Sequence, residues 1–129
     1  MYNRQKVYEY AQKWAYNRNP QYYNYDNIGG DCTNFSSQCI LAGCNQMNYS
    51  KNNSWYYING NMVSIDKLNI GDIIQLSFDG IKFSHTLIVI KNGTDIYNTQ
   101  VSAHTDDVFG KIVGEYNFIK YRCVHILEN

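Results

Sequence analysis

Apolar residues near the start of the chain recur with helical spacing. Val7, Tyr10, Ala11, Trp14 and Ala15 fall at i, i+3, i+4, i+7 and i+8, which predicts an amphipathic packing helix over 3–18. Asn3 is its expected N-cap. Asn19-Pro20 is its expected end, because the residue before a proline avoids helical geometry. A second helical run follows the glycine pair Gly29-Gly30. There Phe35, Cys39 and Ile40 share one face, Asp31 is the expected N-cap, Cys32 takes the first helical position and Gly43 is the stop. From residue 72 onward the pattern is that of strands. Segments 72–78, 82–91, 95–103 and 118–127 are the predicted strands, with hairpin signals at Asp79-Gly80 and Asn92-Gly93. The run Leu87-Ile88-Val89-Ile90 predicts a strand buried on both faces. Residues 45–61 read as a long irregular stretch and 106–114 as a loop. Two helices followed by an antiparallel meander predict an α+β class, with the N-terminal helices packed on one antiparallel sheet. Residues 1–129 read as a single domain without repeats or a linker.

Composition narrows the function. The formal net charge is zero and the pI about 6.8, with no basic stripe, which argues against a nucleic-acid partner. No apolar run reaches membrane-spanning length and no signal peptide is visible, so no membrane span is expected. The chain is therefore either made without a signal or is a domain of a longer exported protein. Thirteen tyrosines offer broad contact surface with polar tips, although AT-rich coding also produces them. Trp55-Tyr56-Tyr57, inside the long irregular stretch, is a candidate substrate wall or a plug over the core. The spacing of Cys32, Cys39, Cys44 and Cys123 fits no zinc pattern. Cys39 and Cys123 read as small core residues, and no metal or cofactor is implied.

The candidate chemistry starts at Cys32. A thiol at a helix N-terminus feels the positive end of the helix dipole, which favours the nucleophilic thiolate. A cysteine nucleophile needs a base, and the base needs a polar group to hold its tautomer. Of His85, His104 and His125, His85 stands at the start of the most buried strand, where an imidazole is costly without a partner. A two- or four-residue turn at Asn92-Gly93 would put Asn98, Gln100, Ser102 and His104 on the face of His85. A three-residue turn would show Thr99, Val101 and Ala103 instead. The even registers supply polar partners, so His104 or Asn98 is the expected third group. His125 reads as structural or exposed. Asn34 and Asn27 are candidate oxyanion donors beside the Cys32 backbone N–H.

These residues also carry a resemblance. Tyr2-Asn3-Arg4 with Tyr10-Ala11, Asp31-Cys32-Thr33-Asn34-Phe35 with Ser37-Gln38-Cys39 and Ala42-Gly43, Ser54-Trp55-Tyr56-Tyr57, Gly71-Asp72-Ile73-Ile74-Gln75, His85 with Val89, and His104-Thr105 with Asp107 follow one another in order. Together they resemble the amidase domain family of the papain-like (NlpC-like) cysteine peptidase superfamily. The resemblance implies a papain-like fold with Cys32 as nucleophile, His85 as base and His104 as the orienting residue. Asp31, Asn34, Trp55 and Tyr56 are the candidate substrate-binding residues. The implied activity is amide hydrolysis through a thioester, on bacterial cell-wall peptide or another peptide or amide, outside the cell or in its envelope. The rival readings are a non-catalytic module that binds cell-wall glycan or peptide, and an acyl transferase or specific peptidase using the same thiol.

Overall fold

Asn3 begins the first helix as the sequence predicts: its side-chain Oδ1 accepts the Lys6 N–H at 3.1 Å. The computed structural model describes residues 2–44 and 60–127. Helix α1 spans Arg4–Trp14 and α2 spans Cys32–Gly43. The strands are β1 (Gly60–Val63), β2 (Ile73–Ser77), β3 (Phe83–Lys91), β4 (Gln100–Ala103), β5 (Val108–Ile112) and β6 (Lys120–Ile126). They form one sheet in the order β1-β6-β2-β3-β4-β5, with every pairing antiparallel. The class is thus α+β. Trp55 and Tyr56 lie outside the described residues, as does Tyr57.

Strand β3 divides the core. Ile88 and Ile90 point to the helices and pack with Val7, Ala11, Phe35, Cys39 and Ile40. Leu87 and Val89 point to the opposite face and pack with Ile74, Leu76, Val101 and Cys123. Both faces are buried, as the unbroken apolar run requires. The predicted core cysteines Cys39 and Cys123 are both buried.

Four expectations are corrected. Helix α1 stops at Trp14, short of Asn19-Pro20, because the Trp14 carbonyl accepts from Asn17 N–H and faces His104. Gly43 belongs to α2; a Cβ there would lie 2.5 Å from Val7 Cγ2 and 2.7 Å from the Asn3 carbonyl, so the glycine lets the two helices meet. Strands β1 and β5 fall in stretches that read as irregular. Both are short, and β5 carries Gly110 at a register shift, so neither shows a clear alternation.

The fourth correction moves the site. Asn92-Gly93 does not make a tight hairpin. Asn92 turns its amide to the Ile65 and Leu68 carbonyls, while Asp95 accepts the Asn98 N–H and Thr99 donates to the Asp95 carbonyl. The connection runs on to Thr99 before β4 begins. Ile88 then pairs with Ser102 and Val89 with Val101. Val101 and Ala103 therefore share the face of His85, the odd register, and β4 ends before the level of His85.

Candidate active site

Cys32 is the first residue of α2, and its backbone N–H has no partner within the helix. The Cys32 sulfur lies 4.0 Å from the Ser84 carbonyl, the residue before His85, and His85 lines the same cleft. Thr33 and Thr86 hydroxyls join at 3.0 Å, fastening the helix start to β3 one residue beyond each partner. His85 Nε2 meets Asp106 Oδ1 at 3.3 Å. The second carboxylate oxygen accepts the Tyr116 hydroxyl at 2.5 Å, with Lys111 Nζ at 3.5 Å. Tyr116 also sets its ring edge-on to His85, with centroids 5.4 Å apart. Gly29, Cys32, Phe78, Ser84, His85, Thr105, Asp106 and Tyr116 line an open cleft of about 300 Å³.

The charges in this cluster support one another. Burial raises the Cys32 thiol, but the neighbouring His85 imidazole, the Thr86 backbone and Thr33 together outweigh it and the net shift is downward. Burial alone would lower His85; Asp106 and Cys32 together raise it to about 9. Burial also raises Asp106, but the bonds from His85 and Tyr116 bring its carboxyl below the usual range. Cys39, by contrast, is pushed up by burial, and Cys123 is pushed up to about 11 by the same cause. Only Cys32 combines a lowered thiol with a cleft. A thiol, an imidazole and a carboxylate in series can generate a thiolate and pass its proton to a leaving group.

His104 is not part of this series. It lies buried behind it, with Nδ1 2.5 Å from Asp31 Oδ2, Nε2 2.7 Å from the Trp14 carbonyl, and its ring stacked on Phe35. Both ring nitrogens are engaged, so it does not orient His85. Asp31 occupies the expected N-cap position, its carbonyl accepting the Phe35 N–H at 2.8 Å, but its side chain neither caps the helix nor faces the cleft. Its carboxylate takes Tyr25 N–H, Asn34 Nδ2 and His104, and only 1% of the residue is exposed. Asn34 divides its amide between Asp31 and the Tyr23 carbonyl, which removes it as an oxyanion donor. Asn98 holds Asp95 in the connection ahead of β4. His125 binds the buried Asp72 at 2.6 Å and is structural.

Asp106 and Tyr116 were missed. The odd register carries β3 past the end of β4, so the neighbour of His85 comes from the following turn, two residues beyond His104. The available signal is the acidic pair Asp106-Asp107 directly after His104-Thr105. Among the described residues no group of three or more His, Cys, Asp or Glu could hold a metal ion, and no helix is long and apolar enough to cross a membrane.

Comparison with known proteins assigns a family. Residues 1–65 match the family described as "Putative amidase domain". The chain belongs to that amidase-domain family. The match contains Cys32 and ends before His85. An uncharacterized Bacillus subtilis (strain 168) protein, YhbB, is 30% identical over 131 residues, covering 77% of this chain. The chain spans 41% of the length of that relative. No solved structure matches the chain.

Proposed function

We propose that this amidase-domain protein hydrolyses amide bonds through a cysteine nucleophile. The observation that carries the reading is the series Cys32–His85–Asp106 at one cleft. His85 takes the Cys32 proton and the thiolate attacks the amide carbonyl. With Nε2 on Asp106, the ring leaves Nδ1 for the sulfur. The Cys32 backbone N–H, at the positive end of α2, stabilises the oxyanion. His85 then protonates the departing amine, leaving a thioester, and activates the water that hydrolyses it. Asp106 fixes the imidazole and stabilises its charged form. The family resemblance extends the reading to bacterial cell-wall peptide as substrate, in the cell envelope, with a papain-like arrangement of helix and strand.

The test is digestion of purified peptidoglycan, with mass spectrometry for newly freed amino groups. Wild-type protein should release them. Cys32→Ala should lose the activity, and His85→Ala should lose about 10²- to 10⁴-fold. Release that persists in Cys32→Ala would overturn the cysteine mechanism. Binding of the polymer by both proteins with no cleavage by either would favour the binding module.

A further inference from the structure

We propose that Tyr116 is a positioning residue that sets the strength of the His85–Asp106 bond. The inference rests on the Cys32–His85–Asp106 reading. Three contacts carry it. The Tyr116 hydroxyl donates to Asp106 Oδ2, the oxygen that His85 does not use. Its ring braces the imidazole edge-on. Lys111 Nζ lies over the same ring, 4.0 Å from its centroid, and that ammonium also reaches Asp106 Oδ2. One side chain thus touches the base, the carboxylate that orients the base, and the cation that balances the carboxylate.

The consequence follows from how a carboxylate shares its charge. A hydrogen bond into Oδ2 draws electron density away from Oδ1 and makes Asp106 a weaker partner for the imidazolium. An imidazolium held too tightly is a poor acid toward a leaving amine. Tyr116 keeps the bond strong enough to orient the ring and weak enough to release the proton. The titratable and charged groups facing His85 are Cys32, Asp106 and Tyr116. Those facing Asp106 are His85, Tyr116 and Lys111, and those facing Tyr116 include Glu115 and Cys32.

Tyr116→Phe separates this role from packing, because the ring remains and only the hydroxyl is lost. The measurement is NMR titration of the His85 imidazole in protein labelled with ¹⁵N-histidine, beside alkylation of Cys32 by iodoacetamide across pH. Losing the hydroxyl should raise the His85 midpoint by about half a unit. Thermal unfolding should stay near wild type. A Phe variant that folds and titrates like wild type overturns the inference, since packing alone would predict that result. Tyr116→Leu, which loses the ring as well, should shift the midpoint in the same direction; a shift seen in Leu but absent in Phe would also overturn it. If wild-type Cys32 shows no preferential labelling below the ordinary thiol range, the underlying Cys–His reading fails instead.

Discussion

Thr105 and Asp107, on either side of Asp106, have positive backbone φ of 82° and 49°. Non-glycine residues rarely adopt this region, and its cost is tolerated where the surroundings fix the chain. Here Arg18 grips Asp107 at 2.8 Å while His85 and Tyr116 hold Asp106. The strain aims one carboxylate at one imidazole. Its charge has a readable effect. On the proposed mechanism, an imidazolium–thiolate pair should form above the lowered Cys32 midpoint and be lost as pH rises through the His85 value of about 9. Stability gained from His85 has the same sign: complete below its unfolded midpoint of 6.5 and lost as pH rises through about 9. Asp106→Asn keeps a hydrogen-bonding oxygen but removes the charge. The alkaline limb of a pH–rate profile should then fall from about 9 toward 6.5, the reverse of the change expected for Tyr116→Phe. Asp106→Ala should cost about 10- to 100-fold in rate, the worth of one hydrogen bond to a charged group.

Elements meet at this site through contacts one residue removed from the chemistry. Asp31, just before Cys32, binds His104, two residues before Asp106. Gly30 completes the seam: its φ is +92°, and a Cβ there would sit 3.2 Å from Thr105 Oγ1. Gly30→Ala should therefore destabilise the fold by about 1–2 kcal/mol, measured by urea unfolding, and slow Cys32 alkylation near neutral pH. These contacts explain what could be read in advance. Helices α1 and α2 show in the sequence through apolar residues at helical spacing, and strands β2, β3 and β6 through short apolar runs, β2 and β3 being buried on both faces. The nucleophile candidate is legible because a cysteine after Gly29-Gly30-Asp31 marks a helix start. The partner of His85 was not legible, because parity along β4 depends on the length of the connection before it. That length is set by Asn92 reaching the Ile65 and Leu68 carbonyls, a tertiary contact with no local signature. His104, buried between Asp31 and Trp14, follows directly on the expected strand 95–103 and reads as a partner for His85, although its bonds are structural.

At the scale of the molecule, a second buried charge centre ties the chain's beginning to its end. Asp72 is fully buried and accepts from Arg4, His125, Asn69 N–H and Ile126 N–H. Arg4 also donates to the Ile70 and Ile126 carbonyls. Asp72→Ala would remove the buried carboxylate that Arg4 and His125 share and should cost about 3–5 kcal/mol in a denaturant titration. Because this centre lies on the far side of β2 from the cleft residues of β3, the folded fraction should retain the alkylation profile of wild type.

The Asp31–His104 bond joins positions 73 residues apart in the chain. As the polypeptide emerges from the ribosome, Cys32 is made long before His85, Asp106 and Tyr116 exist. Until they arrive, the thiol has neither an imidazole to ionise it nor a formed cleft to present it. An unfinished or misfolded copy therefore carries an ordinary, sluggish cysteine. On the proposed mechanism, reactivity at neutral pH becomes a certificate of completed folding, and a thiol-directed probe added during refolding should time the last closure of the chain.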